Sequence, residues 1–305
     1  MIKIVLATGI YFAAVLCAAQ SDAVKAGFRG KVKHVKEEVY MLYPNGRGGV
    51  TKSGPTLWVE YDYNENGQQT IHTEYSNYGG INWLYKNEYD SLNRKISQTY
   101  MLADYTVTYR MVFEYDKKNR LSGYKTYNLF DSLVFEQANN YTKKGLLAES
   151  KYYGKYGVLS AICRYVFDKK GNRIGENWLG AAGTITKQIT TNFDKDGNAI
   201  EVKHVNADGE LIQRWEQVFD TAGRIQEVKF WTTTNQYDTR TTFHYDENGN
   251  MNQKLQYDFR DSVISEFKYE YEYDSLQNWT SKTEREPRNT NPAKKTERTI
   301  SYFDL

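Results

Sequence analysis

The residues of this chain that could do chemistry are few. It holds four histidines (His34, His72, His204 and His244) and one cysteine, Cys163, beyond its first nineteen residues. It also holds a series of Asp-rich turns. No two histidines have the His-x-x-x-His spacing that sets two imidazoles on one metal, so they read as ordinary strand or surface residues. Cys163 lies two residues before Tyr165 on an apolar strand face and reads as a small buried hydrophobe rather than a nucleophile. Turns such as Asp168-Lys169-Lys170-Gly171-Asn172 offer oxygens of the kind calcium takes. A calcium site needs several oxygens converging on one point, and these turns set lysines beside few carboxylates. Their Asp and Gly read instead as turn chemistry: Asp bonds the backbone two residues on, and Gly tolerates positive φ. There is no nucleophile motif, phosphate-cradling glycine loop or paired cysteine. The reading is therefore of a non-enzymatic chain with no catalytic residue, metal or cofactor.

What positions these turns is an internal repeat. Aromatic residues fall at Tyr63, Tyr89, Tyr115, Tyr141, Phe167, Phe193, Phe219, Tyr245 and Tyr273, with seven spacings of 26 residues and a last of 28. Seven of the nine are followed by Asp: Asp90, Asp116, Asp168, Asp194, Asp220, Asp246 and Asp274. A fixed period of this size marks an array of small supersecondary units. The unit from Phe193 to Arg224 reads as a turn, a strand over Ala199 to Val205, a second turn at Asn206-Ala207-Asp208-Gly209, and a strand over Leu211 to Phe219. The second turn keeps register too, at Gly79, Tyr105, Asp131, Gly157, Gly183, Gly209, Asn235 and Asp261.

The second strand of each unit alternates with period two. Val107, Tyr109, Met111, Phe113 and Tyr115 point one way, and Thr108, Arg110, Val112 and Glu114 the other, which is a sheet with one packed and one wet face. On the first strand, Ile174, Glu176 and Trp178 share a face, as do Ile200, Val202 and His204, but the inner side is not assigned. Tyr100, Tyr152, Trp178, His204 and Phe230 occupy one column of the repeat, which Thr126 interrupts. The column reads first as core, because aromatics bury area; the alternative is a ladder that binds sugar rings or an extended chain.

The 305 residues carry 40 Lys+Arg against 38 Asp+Glu, and no basic block or acidic tail stands out. That weighs against nucleic acid or an anionic membrane as the main partner. With 27 tyrosines and only 4 prolines, the composition suits strands. Residues 1–19 read as a signal peptide: Lys3 is the basic end, Ile4 to Leu16 the apolar run, and cleavage is expected after Ala19. The run is too short to span a bilayer as a helix, and no transmembrane segment is expected in the mature chain. Anchoring as a lipoprotein through Cys17 is the lesser alternative, because Leu16 is not the small residue that signal favours. Four regions follow: the signal peptide at 1–19, an N-terminal strand and Gly-rich loop at 20–60, the array at 61–282, and a loop with a closing strand at 283–305. The two flanks are expected to cap bare strand edges.

Tyr115-Asp116-Lys117-Lys118-Asn119-Arg120-Leu121, Phe167-Asp168-Lys169-Lys170-Gly171-Asn172-Arg173-Ile174 and Tyr245-Asp246-Glu247-Asn248-Gly249-Asn250 resemble the units of the RHS/YD-repeat family. The resemblance covers roughly 220 residues. It implies carbohydrate or cell-surface interaction. The period is longer than the usual unit, and the array is too short to enclose the C-terminal toxin that large members carry. Ser91, Ser132, Thr221, Ser262 and Ser275 each follow an Asp and precede an apolar residue. They resemble the acceptors of a bacterial envelope O-glycosylation system, although a turn asks for the same residues.

The fold expected is all-β, a repeat array forming a continuous, curled antiparallel sheet. The function expected is that of an exported binding or structural module of the periplasm, cell surface or extracellular space, with a glycan or another envelope protein as partner. The alternative is a toxin-associated or immunity-like partner protein.

Overall fold

A computed structural model describes residues 21–304 except 48, 233–236 and 289–291. The leader, with the expected cleavage after Ala19 and the alternative anchor Cys17, lies outside the described residues, as does Asn235. A single helical turn, α1 (Asp22–Lys25), comes first, capped by the Ser21 side chain accepting from the Val24 amide. Twenty-one strands follow: β1 (Val32–Pro44), β2 (Val50–Lys52), β3 (Leu57–Tyr63), β4 (Gln69–Tyr75), β5 (Ile81–Tyr89), β6 (Lys95–Leu102) and β7 (Val107–Tyr115). Next are β8 (Leu121–Asn128), β9 (Leu133–Tyr141), β10 (Leu147–Tyr153), β11 (Leu159–Phe167), β12 (Arg173–Gly180), β13 (Ile185–Phe193) and β14 (Ala199–Asn206). The last are β15 (Leu211–Phe219), β16 (Ile225–Trp231), β17 (Thr239–Tyr245), β18 (Met251–Asp258), β19 (Val263–Tyr273), β20 (Trp279–Arg285) and β21 (Ala293–Tyr302).

From β3 to β21 every strand pairs antiparallel with the next, as the repeat predicts. The expected curled sheet is corrected at its ends. β1 pairs with β3 on one edge, through Val35 opposite Tyr61, and with β21 on the other, through Val35 opposite Ile300. The sheet therefore closes into a 20-stranded antiparallel barrel, with β2 as one extra strand on the end of β1. The segments flanking the repeat supply the two strands that meet, and closure leaves no bare edge on the ring. A 20-stranded ring with strands about 4.8 Å apart and tilted about 40° has a radius of roughly 20 Å, too wide for side chains to fill.

Register fixes the two faces, because directly opposed residues share one. Following opposed pairs around the ring returns each face to itself: Tyr61–His72–Tyr85–Tyr100–Tyr109 at one part, Ser150–Cys163–Trp178 at another. This first face carries most of the aromatics, and also Glu37, Glu74, Glu176, Lys254, Lys282 and Arg298. The second carries alternating charge, as in Lys125 opposite Glu136 and Arg164 opposite Glu149. The densest core sits where the ring closes: Ala23 of α1, with Phe28, packs on Val32, Val35 and Tyr63 of the aromatic face.

Candidate functional site

The five aromatics of the expected column all lie on the aromatic face, so the first strand's unassigned side is settled for Glu176 and Trp178 and for Val202 and His204; Ile174 and Ile200, expected to share that face, fall instead at the register shifts beside the Asp turns. The column does not stack by itself. Repeats are two strands apart, and rings from the intervening second strands fill the gaps. Tyr100 has Tyr85 at 5.3 Å and Tyr109 at 4.4 Å between ring centroids. His72 stacks on Trp83 at 4.8 Å and on Tyr85 at 4.9 Å. Further round, Phe113, Tyr124, Phe135, Tyr152 and Trp178 follow at 5.7, 5.6, 6.3 and 5.4 Å. A third run joins His204, Trp215 and Phe230 at 5.0 and 5.6 Å. The result is a belt in three arcs.

The belt is half-buried: none of the five column residues is fully buried or fully exposed. Neighbouring rings cover each other's sides. Burial pushes the Tyr85 hydroxyl up to about 12, with Tyr100 adding to it. It pushes the His72 and His204 imidazoles below their ordinary value, which keeps both neutral; for His204 the neighbouring Lys187 acts the same way. A face of rings and phenols with carboxylates and lysines set among them, such as Lys187 over the Trp178 ring at 5.1 Å, suits sugar rings or an extended chain.

The best-anchored ring is Trp178. Its Nε1 donates to Glu176 Oε2 at 2.7 Å, and Glu176 also holds the Arg173 guanidinium. Tyr152 reaches over the intervening β11 to stack on Trp178 because the residue beneath is Cys163, which is small and fully buried. The Cys163 thiol donates to Glu176 at 3.6 Å. Burial, then the Glu176 carboxylate, pushes that thiol up to about 12, so it is no nucleophile. A cleft of about 380 Å³ lies on the other, charged face of this part of the sheet, over Gly175, with Gln188, Thr190 and Lys203 on its walls.

The other candidate chemistry disperses. Among the described residues no three of His, Cys, Asp and Glu converge as a metal site. His34 pairs with Asp62 at 2.8 Å on the charged face, and His204 with Gln213 at 3.0 Å. In the Asp turns the carboxylate closes its own loop: Asp168 Oδ1 accepts from the amides of Lys170 and Asn172, each at 2.8 Å. The proposed acceptors Ser91, Ser132, Thr221, Ser262 and Ser275 are all exposed. Ser91, Thr221 and Ser275 sit at the rim that carries the Asp turns, and Ser132 and Ser262 at the opposite one.

Sequence reasoning missed what joins one repeat to the next. Arg94, Arg120 and Arg224 each stand five residues after a repeat aromatic and pair with the Asp of their own turn. Each also lies over the aromatic of the following repeat. The signal was present in the spacing.

No family model matches the sequence, and none of the curated proteins is similar enough to match. Among solved structures, TcdB2-TccC3 is similar at 12% identity and a TM-score of 0.38, over 87% of this chain and 16% of that one. The chain thus spans about a sixth of that protein. A porin-like protein from Bacteroides uniformis is similar at 9% identity and a TM-score of 0.36, over 88% of this chain and 96% of that one. Another from Bacteroides vulgatus gives 13% and 0.33, over 73% and 95%. At these values the likeness carries no argument about function, and the RHS/YD resemblance rests on the turn motifs. No helix among the described residues is long and apolar enough to cross a membrane.

Proposed function

We propose that this protein is an exported, non-enzymatic binding barrel of the cell envelope, which holds a glycan against the aromatic belt. The observation that carries this reading is the belt itself: half-exposed rings in contact along three arcs, with Trp178 fixed by a buried carboxylate. Nothing in the belt supplies a paired acid and base, and its one thiol is held protonated.

The barrel is read as standing in water rather than spanning lipid. Strands of mostly 7–9 residues at about 3.3 Å each, tilted about 40°, build a wall roughly 18–23 Å tall, short of the ~25 Å apolar band of a membrane barrel. Both faces also carry charge at mid-strand, such as Glu176 and Lys254 on one and Lys125 and Arg214 on the other, so neither offers a lipid-facing band.

The test is a glycan array probed with residues 20–305, which contain the whole ring, beside Trp178→Ala and Tyr152→Ala. Unchanged far-ultraviolet circular dichroism would show the variants folded. Binding by the parent that both variants lose supports the belt as the site. Absence of binding by the parent overturns the glycan reading and directs the search to an envelope protein partner.

A further inference from the structure

The two rims of the barrel differ. At the rim opposite the Asp turns, the loops 76–80, 102–106, 128–132 and 154–158 are consecutive copies of one five-residue turn. The first residue's amide donates to the fifth residue's carbonyl in each. Every one of the four carries an aromatic at its tip: Tyr78 is 99% exposed, Tyr105 58%, Phe130 77% and Tyr156 84%. Leu129 and Val158 beside them are exposed as well, and Tyr43 and Val50 rise at the same rim from the hairpin joining β1 to β2. Across the ring the same turn reads Gly-Ala-Ala-Gly-Thr at 180–184 and Asn-Ala-Asp-Gly-Glu at 206–210. The aromatic tips are concentrated on one arc; among the described residues, the copy at 258–262 across the ring carries one more, Phe259, 45% exposed.

Two of these tyrosines occupy backbone that disfavours them. Tyr105 has φ 64° and Tyr156 φ 65°, in the left-handed region. The copies of the Tyr105 position in other repeats are Gly79, Gly157, Gly183 and Gly209, at 70–84°, or Asp131 and Asp261. A bulky side chain at such φ is strained where glycine is not. Strain kept on a fully built, water-exposed tip is strain kept for something outside the fold.

We propose that this arc seats on the surface of a lipid bilayer, its aromatic tips inserted at the headgroup level. Neighbouring tips are two strands apart, about 10 Å, so they stand singly and form no groove for a folded partner. A plane of single Tyr, Phe, Leu and Val side chains fits the boundary between headgroups and acyl chains, where amphipathic rings settle. The charge there is nearly balanced: Lys155 and Asp104 stand near the tips, and Asp131 is bound by Arg110 at 2.8 Å. A zwitterionic surface is therefore enough.

The test is co-sedimentation of residues 20–305 with phosphatidylcholine vesicles. The parent is expected to sediment with the vesicles, and Tyr78→Ser/Phe130→Ser to lose at least tenfold in partitioning. Tyr105→Gly/Tyr156→Gly is expected to lose a similar amount while its Tm holds or rises, because glycine relieves the strained backbone. Phe259→Ser, across the ring, should bind as the parent does. The proposal is overturned if the parent stays in solution, or if the rim variants sediment as it does. It is also overturned if the glycine variant loses Tm, which would make the tyrosines part of the fold. Binding to phosphatidylglycerol vesicles alone would overturn it too, since charge rather than the tips would then be recognised.

Discussion

The guanidinium of Arg94 lies over the ring of Tyr115, 4.5 Å from its centroid, while the Tyr115 hydroxyl donates to the Lys95 carbonyl at 2.8 Å. The β6–β7 ladder ends at Ser97 opposite Val112, so Lys95 has no ladder partner for that carbonyl. The tyrosine of one repeat thus closes a gap left by the turn of the repeat before it. The same hydroxyl contact recurs from Tyr141 to Leu121, Tyr245 to Ile225 and Tyr271 to Met251, at 2.7–2.9 Å. Where Arg is replaced by Asn, the link changes form: Asn250 donates to the Tyr273 hydroxyl at 2.8 Å. The recurring aromatic and the recurring Asp are therefore two halves of a joint between neighbours.

Breaking this joint should cost stability. Tyr141→Phe leaves the Leu121 carbonyl with only the Asn139 side-chain amide, at 3.1 Å, and should cost about 1 kcal/mol. Arg120→Ala removes the stacking on Tyr141 and the pairing with Asp116. A double-mutant cycle of Arg120→Ala with Tyr141→Leu, read by urea unfolding, should show a coupling of about 0.5–1 kcal/mol. Additive effects would mean that the two side chains do not act together.

Gly123 and Gly183 should respond oppositely in size to alanine. A Cβ at Gly123 would fall 2.1 Å from the Gln137 carbonyl oxygen on β9, which the ladder holds in place. Gly123→Ala is expected to destabilise by about 3 kcal/mol. At Gly183, φ is +80° but the space is open, so Gly183→Ala should cost only about 1 kcal/mol of backbone strain. Thermal denaturation of the two variants side by side decides the matter.

Cys163 should be silent toward thiol reagents in the folded protein. It is fully buried, and its thiol is pushed up to about 12, so almost no thiolate exists at pH 8. Ellman's reagent should label it only after denaturant is added. Prompt labelling of native protein would show that β11 opens readily.

Stability should fall on the acid side in two stages. His72 and His204 are held below the ordinary 6.5 by burial, so the unfolded chain takes up protons first as pH drops under that value, and stability declines. Above it both states are neutral there, and the contribution is flat. The turn carboxylates come next. Asp90, Asp168 and Asp194 are lowered from 3.8 chiefly by the side chains of Arg94, Asn172 and Asn198, and Asp116 and Asp220 chiefly by the amides of Arg120 and Arg224. Their stabilisation is present above about 3.8 and is lost as pH falls through the lower folded values. A Tm profile from pH 8 to pH 3 should show a plateau, a shallow decline and then a steep one. A Tm that rose on acidification would contradict both assignments.

Much of the fold was legible because the repeat encodes it locally. The period placed the turns of the array, and the alternation from Tyr109 to Tyr115 identified the aromatic face. Closure was not legible. It depends on how curvature adds up over twenty strands, and on the match between Val35 and Ile300, residues far apart in sequence and outside the period. The register column through Tyr100 and Trp178 was visible in the period, but the rings that bridge its members were not: Phe135 and Trp215 come from the alternate strand, and Tyr124 stands two residues before the slot that Thr126 fills. Tyr105 stood visibly in a slot otherwise filled by Gly, Asp or Asn. Its exposure could be seen only once four such loops lay side by side on one rim.

Closure of the ring also has a kinetic meaning. The pairing of Glu37 with Arg298 joins residues 261 positions apart in the chain, and it is made by the strands at the two ends of the array. Adjacent hairpins form between near neighbours, but this seam must wait until both ends exist and have curved toward each other. Until then β1 and β21 are open edges, free to pair with another molecule's. During synthesis the hazard is not slow folding of any one repeat. It is the interval in which a nearly complete ring has not yet found its own other end, and for that interval dilution or a chaperone protects the chain better than added stability in the hairpins would.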